Sequence, residues 1–284
     1  MAERRWDGPF NRSTSISRKS KTYLIILNTP IKIARNGHPN QVFEDLWKLS
    51  DYRICADGGA NRLHDYCSAL GEARKMLIPD YIKGDLDSIR PEVKQFYERS
   101  GSQVTRDPDQ DSTDFGKCLA LIEGLERQSG SNDYYNHSTG LLLIHGGLTG
   151  RLDQTIHTLH TLLARLCPSP TSSSNLSQGV PETWVVDTDA GSMACALERE
   201  MKHLLVIPPS WRQGPSPLTC GILPIGINQA TVTTKGLKWN LSQAKTSITG
   251  LLSTSNHILP ETDAVEVMSD ERVIWTIEIP GVTV

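Results

Sequence analysis

The sequence lacks the features that mark membrane, disulfide-rich and nucleic-acid-binding proteins. No apolar run approaches the ~18 residues that a membrane-spanning helix needs, so we predict no membrane contact. The six cysteines are scattered and form no Cys-x-x-Cys pair. This argues against a disulfide framework or a zinc site and favours reduced thiols in the cytoplasm. The net charge of -3 is unlike the basic surface that binds nucleic acid.

The common nucleotide-binding signatures are also missing. The sequence contains neither a Gly-x-x-x-x-Gly-Lys-Ser/Thr phosphate loop nor a Gly-x-Gly-x-x-Gly dinucleotide fingerprint. Asp114-Phe-Gly matches three letters of the protein-kinase set, but the partner motifs of that set are absent. With 284 residues, the chain is long enough for one large domain or two domains of ordinary size.

The chain divides into an alternating first part and a strand-rich second part. In the first part, short apolar runs alternate with helical patterns, which predicts an α/β domain with a parallel sheet. The second part has short strand-like runs, one of them at 248–252, and little helical period, which is typical of a smaller all-β domain. The predicted organisation is a flexible arm at 1–21, an α/β domain at 22–167, a polar linker or loop at 168–182 and the β domain at 183–284.

Carboxylates are concentrated in two short segments that each follow an apolar run. The segment 84–88 contains Asp85 and Asp87, and the segment 107–114 ends in Asp114. Gathered carboxylates repel one another unless a cation neutralises them. Mg²⁺ takes oxygen ligands from carboxylates and from substrate phosphates. The segments therefore indicate either a metal–phosphate site or a pair of solvated acidic loops.

Polar segments that follow neighbouring strands converge if the sheet is parallel, because ligands bind beyond the carboxyl ends of its strands. In an extended strand, Asp85 and Asp87 would face one side and could share one cation. Asp114 is equally suited to the first turn of a helix. Lys117 and Arg151 are spaced to hold an anion, although Arg151 also fits a surface role. The segments concerned are 57–59, 84–87, 107–114 and 146–153.

Two further sets of residues allow more than one interpretation. Trp239 offers a flat face for a ring, and Ser255 and Asn256 offer donors and acceptors for a heterocycle. A core tryptophan beside a polar turn explains the same residues. His157 and His160, three residues apart, are interpreted as ordinary helix residues because no third ligand of matching spacing is evident.

Taken together, these segments resemble the thiamine pyrophosphokinase family. They span most of 23–279 and keep the order of the family. The resemblance implies an α/β ATP- and Mg²⁺-binding domain followed by a smaller β-sandwich domain that binds thiamine. The matching segments are CADGGANRL (55–63), IKGDLDSIRPEV (82–93), DPDQDSTDFGKCL (107–119), GGLTGRLDQ (146–154), CGILPIG (220–226), TTKGLKWNL (233–241) and STSN (253–256).

The resemblance also implies a reaction. The hydroxyl of thiamine would attack the β-phosphate of ATP in line, giving thiamine diphosphate and AMP, in a homodimer with its active sites at the subunit interface. The implied metal ligands are Asp85, Asp87 and Asp114. The implied catalytic residues are these three and Asp57, and either Asp114 or Asp57 would accept the hydroxyl proton. The implied nucleotide contacts are Gln110, Thr113, Lys117, Arg151 and Asp153, and the implied thiamine contacts are Trp239, Ser255 and Asn256.

The same residues also fit other functions. A metal-dependent glycosyl- or nucleotidyltransferase would use Asp85 and Asp87 to hold a nucleoside diphosphate, but it would leave Trp239 without a role. A phosphohydrolase with a nucleophilic aspartate would need its acidic pair after the first strand, where Asn28-Thr-Pro stands. A thiamine- or nucleotide-binding sensor without turnover is the non-enzyme alternative.

Overall fold

The computed structural model describes residues 2–11, 21–71, 75–128, 140–165, 181–214 and 216–282. These residues form a mixed α/β structure with two sheets, one of ten strands and one of five. The predicted loop at 168–182 lies outside the described residues except for its last two positions. Within the described ranges, no helix is long and apolar enough to cross a membrane.

The first part of the chain alternates strands and helices, as its apolar pattern predicts. The elements up to the undescribed segment at 166–180 are β1 (Glu3–Trp6), α1 (Gly8–Asn11), β2 (Thr22–Ile26), α2 (Gln41–Leu49), β3 (Tyr52–Ala56), α3 (Gly59–Ala69), β4 (Tyr81–Gly84), α4 (Pro91–Arg99), β5 (Gln103–Arg106), α5 (Asp114–Gln128), β6 (Leu141–His145) and α6 (Leu152–Arg165). The elements after it are β7 (Glu182–Asp187), β8 (Ser192–Leu197), β9 (Lys202–Val206), β10 (Thr219–Leu223), β11 (Ala230–Lys235), β12 (Ala244–Thr246), β13 (Ser253–His257), β14 (Ala264–Ser269) and β15 (Val273–Glu278).

The ten-stranded sheet has the order β13-β10-β15-β8-β7-β6-β2-β3-β4-β5. All pairings from β7 to β5 are parallel, whereas those from β13 to β7 are antiparallel. Strand β2 is buried on both faces: Leu24 and Ile26 join one hydrophobic cluster, and Tyr23 and Ile25 join the other. Burial on both faces explains its uninterrupted apolar sequence.

The five-stranded sheet has the order β1-β9-β14-β11-β12. The sequence prediction of a flexible arm is wrong for Glu3–Asn11, because β1 pairs in parallel with β9. Trp6 anchors this strand: it is 3% exposed, packs edge-on against Trp184 and donates a hydrogen bond from Nε1 to His203 Nδ1 at 2.9 Å. The strand carries one apolar side chain among charged ones, so the sequence gives little sign of its burial.

The predicted boundary near residue 182 does not separate two sheets. Strand β7 pairs with β6, so the second part of the chain begins by extending the sheet of the first part. The strand predicted at 248–252 is also wrong, because these residues form an exposed turn between β12 and β13. Its apolar side chains Ile248 and Leu251 are 58% and 52% exposed. The apolar run at 248–252 therefore has the composition of a buried strand, although its side chains are exposed in the structure.

Candidate active site

Polar loops meet at the carboxyl ends of the parallel strands, as predicted. Strands β6, β2, β3, β4 and β5 are consecutive in the sheet. The segments that follow them contribute to a cleft of about 630 Å³. The residues lining this cleft include Asn28, Arg62, Asp85, Gln110, Thr113, Asp114, Lys117, Thr149, Arg151, Gln154 and His157.

Asp57 directly follows β3, and its carboxylate is held by the backbone of the loop after β4. The residue has a φ of 39° and is fully buried. Its carboxylate accepts backbone hydrogen bonds from Ser88 at 2.9 Å and from Ile89 at 3.0 Å. Burial raises the pKa of Asp57, the Ser88 bond opposes this, and Asp114 adds a further increase. Asp57 therefore ties the loop that carries Asp85 and Asp87 to the end of β3.

Asp57, Asp85 and Asp87 form one group, with one carboxylate oxygen of each lying within 4.8 Å of the others. The strand geometry expected for the last two is replaced by a turn, because Leu86 has a φ of 62°. Within this turn the Asp87 backbone N–H donates to Asp85 Oδ1 at 3.2 Å, and this bond lowers the pKa of Asp85. The group offers only oxygen ligands, which fits Mg²⁺.

Asp114 lies beside this group rather than in it. The predicted metal set of Asp85, Asp87 and Asp114 therefore differs from the observed group, in which Asp57 takes the third position. Burial, followed by the charge of Asp85, raises the pKa of Asp114, and the ammonium of Lys117 lies 3.6 Å from its carboxylate. A Cβ atom at Gly84 would lie 2.6 Å from Asp57 Cβ and 2.9 Å from Asp114 Oδ1, so a larger residue there would push these aspartates apart.

Most of the other carboxylates in 107–114 stabilise the loop itself. Asp107 pairs with Lys83 at 3.1 Å. Asp109 accepts hydrogen bonds from the backbone of Asp111 at 3.0 Å and from the hydroxyl of Ser112 at 2.5 Å. The solvated-loop interpretation therefore applies to Asp107 and Asp111, which do not line the cleft, whereas Asp109 and Asp114 both line it.

The predicted nucleotide contacts gather around the cleft. Gln110, Thr113, Lys117 and Arg151 line it, and Arg151 pairs with Asp153 at 2.5 Å on the exposed start of α6. The lining combines carboxylates with cations and hydrogen-bond donors, which is suited to a substrate that carries both phosphates and a metal ion.

The glycine-rich turn after β6 is fixed from two sides. Gly146 has a φ of 89°, and a Cβ there would lie 2.5 Å from Thr29 Oγ1. On the other side, Thr149 donates a hydrogen bond to the buried carboxylate of Asp187 at 2.5 Å. The turn therefore needs glycine both for its conformation and for its close packing.

The predicted thiamine contacts do not line this cleft. Trp239 is 53% exposed, and its ring lies 5.4 Å from that of His257. Asn256 is buried: it accepts a hydrogen bond from the backbone N–H of Trp239 at 3.2 Å and donates one to its carbonyl at 2.7 Å. Ser255 is exposed on the same strand, β13. The core interpretation of Trp239 is therefore wrong, and Asn256 holds the tryptophan loop.

Sequence reasoning missed several cleft residues. Asn28, Arg62 and Gln154 line the cleft, and His157 Nε2 lies 3.0 Å from Thr113 Oγ1. The first three are polar residues without a spacing pattern of their own, although Arg62 and Gln154 fall within segments that carry the family resemblance. The sequence predicts an ordinary helix position for His157, which reaches the cleft because α5 and α6 contribute to the same hydrophobic cluster.

Three features are typical of an enzyme that handles phosphate-bearing substrates: the parallel sheet, the acidic rim formed by Asp57, Asp85 and Asp87, and a cleft lined by both carboxylates and cations. Family profiles agree: "Thiamin pyrophosphokinase, catalytic domain" matches residues 43–169, and "Thiamin pyrophosphokinase, vitamin B1 binding domain" matches 211–274. Thiamine pyrophosphokinase 3 of Oryza sativa subsp. japonica is 36% identical over 82% of this chain and 81% of its own length. Thiamine pyrophosphokinase of Saccharomyces cerevisiae is 31% identical over 90% of this chain and 85% of its own length.

Solved structures give the same result. The crystal structure of yeast thiamin pyrophosphokinase has a TM-score of 0.77 and 27% identity, and the match covers 98% of this chain and 91% of that one. The chain belongs to the thiamin pyrophosphokinase family. The family and the enzyme class inferred from the sequence are thereby confirmed.

Proposed function

We propose that this protein transfers the β,γ-diphosphoryl group of ATP to thiamine, giving thiamine diphosphate and AMP. The observation that carries the proposal is the meeting of Asp57, Asp85 and Asp87 beside a cleft that also contains Lys117 and Arg151. Membership of the family supplies the identity of the vitamin, because the cleft by itself indicates only a nucleotide with its metal ion. The cytoplasmic location stays a prediction.

The carboxylate group is the site proposed for Mg²⁺. Asp57, Asp85 and Asp87 would hold the ion, and the charge of Asp85 contributes to the raised pKa of Asp114 beside them. When bound, Mg²⁺ would neutralise the phosphate oxygens and stabilise the charge that develops on the leaving AMP. The role of Asp57 in this set is a change from the sequence prediction, which assigned the third position to Asp114.

The chain's own residues would position the phosphates and take up the proton. Lys117 is 3% exposed and lines the cleft, so its ammonium is directed toward the site and not toward bulk water. Asp114 also lines the cleft, and its raised pKa favours proton uptake from the thiamine hydroxyl as that oxygen bonds to the β-phosphorus. Asp57 is a weaker candidate because two backbone N–H groups already occupy its carboxylate.

The distance between the cleft and Trp239 supports a homodimer with a shared site. Trp239 is bonded to Asn256 on β13, the first strand of the ten-stranded sheet, whereas Asp85 and Asp87 follow β4, the ninth. Eight strand-to-strand steps of ~4.8 Å separate these strands by about 38 Å. One chain cannot bring both regions to a small vitamin, so we propose that Trp239, with Ser255, faces the acidic rim of a partner subunit.

A product assay tests the proposal. Purified protein is incubated with ATP, thiamine and Mg²⁺, and AMP and thiamine diphosphate are quantified, with each component omitted in turn. We expect the two products in equal amounts and neither one without thiamine. Release of inorganic phosphate without thiamine would instead indicate a hydrolase. Release of diphosphate from ATP would indicate a nucleotidyltransferase, and thiamine binding without AMP formation would indicate a sensor.

A further inference from the structure

Arg62 is a positively charged residue in the wall of the cleft. It lies in the first turn and a half of α3, directly after the turn that contains Asp57, and its side chain lines the cleft. Among the residues that the structure describes, no carboxylate lies within ion-pair distance of Arg62. Arg151, by contrast, is paired with Asp153 at 2.5 Å. Arg62 thus presents a positive charge that no described carboxylate neutralises.

The side chain of Arg62 is oriented by a neighbour. Its Nε donates a hydrogen bond to Asn28 Oδ1 at 2.7 Å. Asn28 is in turn packed against the backbone of Gly58, where a Cβ atom would lie 2.4 Å from Asn28 Nδ2. The guanidinium group has five N–H donors, and this bond uses only the one on Nε. The two terminal nitrogens are left to form a fork that suits a phosphate.

The position of Arg62 indicates which phosphates it would meet. The backbone N–H of Arg62 donates to the carbonyl of Gly58, the residue after Asp57. Asp57 belongs to the three-carboxylate group, and Asp85 of that group lines the same cleft as Arg62, so Arg62 and the proposed metal site face one bound substrate. Phosphates that share that ion are the β- and γ-phosphates, which form the transferred group.

We propose that Arg62 binds the β,γ-diphosphoryl group and that Asn28 positions Arg62 for this contact. The inference rests on the proposed function, because it assumes that a nucleoside triphosphate occupies the cleft. AMP lacks both phosphates that Arg62 would contact. Loss of Arg62 should therefore weaken the binding of ATP and leave the binding of AMP unchanged.

Equilibrium binding tests this contact without requiring turnover. An ATP analogue with a methylene bridge between the α- and β-phosphates is titrated with Mg²⁺ into the full-length protein by calorimetry, and AMP is titrated in parallel. Arg62→Ala should weaken the analogue by about ten- to a hundredfold, as expected for loss of a charge-assisted contact, and leave AMP within about twofold. Arg62→Lys should recover part of the loss, because it restores the charge without the fork.

Asn28→Ala should give a smaller loss of analogue affinity, and the double variant should be no weaker than Arg62→Ala alone, because both changes act through one contact. The control is Arg90→Ala: Arg90 pairs with Asp65 and does not line the cleft. Unchanged affinity of Arg62→Ala for the analogue, or an equal loss for AMP, would overturn the inference. If the unaltered protein makes no AMP from ATP and thiamine, the proposed function fails, whatever Arg62 does.

Discussion

The acidic rim and the Trp239 edge differ in how completely one chain builds them. At the rim, Asp57 is fully buried, and two backbone N–H groups fix its carboxylate. At the edge, Trp239 is 53% exposed, Asn256 holds its backbone, and its ring contacts only the neighbouring side chains of His257 and Lys238 among the described residues. Clustered carboxylates need a rigid frame because they repel one another. A ring platform needs only a fixed loop, and the exposed half of the Trp239 side chain is available to a second protein surface.

Exposed apolar side chains near the acidic rim and near the Trp239 edge indicate that another protein surface covers both regions. The turn that leads into β13, the strand of Asn256, exposes Ile248 and Leu251, which are 58% and 52% exposed. Beside the cleft, α6 exposes Leu152 and Ile156, which are 75% and 50% exposed. Exposed apolar patches mark interaction sites. The proposed homodimer would account for both exposures if each tryptophan faces the acidic rim of the other chain.

The largest effect should come from the rim itself. We expect Asp87→Asn to fold normally and to lose about three orders of magnitude or more in turnover, because it removes one charge from the proposed metal group. Turnover is measured as AMP formed from ATP and thiamine. The matched control is Asp111→Asn, in the neighbouring acidic loop and outside the cleft lining. Near-normal turnover in a folded Asp87→Asn protein would remove Asp87 from the mechanism.

A mixed dimer tests whether the two regions form one site. Asp87→Asn and Trp239→Ala chains carrying different tags are co-expressed, and the heterodimer is purified through both tags. If the site is shared between subunits, one site of the heterodimer carries both changes and the other carries neither. About half of the normal activity per dimer should then return. If each chain contains its own complete site, both sites stay defective and no activity returns.

The sequence was most informative where side chains meet through regular geometry. The helix Pro91–Arg99 and the strand Leu141–His145 carry clear local signals, a proline at the first helical position and a short apolar run respectively. The rim followed from the rule that ligands bind beyond the ends of parallel strands. The grouping of Asp57 with Asp85 and Asp87 could not be predicted from this rule, because it depends on the turn at Leu86.

Contacts between distant segments could not be predicted from pattern alone. Strand β1 joins the second sheet through Trp6 and His203, which are far apart in the chain. The buried position of Asn256 depends on its bonds to the Trp239 loop, whereas its sequence suggested an open polar turn. Such features arise from tertiary packing, which no local spacing encodes.

Removing the support of the tryptophan loop should have an intermediate effect. Asn256→Ala leaves the backbone N–H and carbonyl of Trp239 without their partner, which should cost about 1–3 kcal/mol in the free energy of unfolding. The KM for thiamine should rise, and the KM for ATP should stay unchanged, because the cleft is not altered. Urea unfolding and steady-state kinetics measure the two effects, with the exposed Thr254→Ala on the same strand as control. A higher KM for ATP alone would contradict the assignment of this edge to thiamine.

The smallest effect concerns the five-stranded sheet that contains β1 and β9, and it is visible only in acid. Burial lowers the pKa of His203 to about 4, and its Nδ1 accepts the hydrogen bond from Trp6 that holds β1. The unfolded chain, with an ordinary histidine pKa of about 6.5, binds the proton first, so the free energy of unfolding falls as the pH drops from about 6.5 toward 4.

For these two pKa values, His203 should account for about 2 kcal/mol of the stability lost between pH 7 and pH 5. His203→Gln, which does not titrate, should lack this share of the loss when urea unfolding is compared at the two pH values. His160→Gln, at an exposed position of α6, should keep it. An unchanged pH dependence in His203→Gln would show that protonation of His203 does not cause this loss of stability.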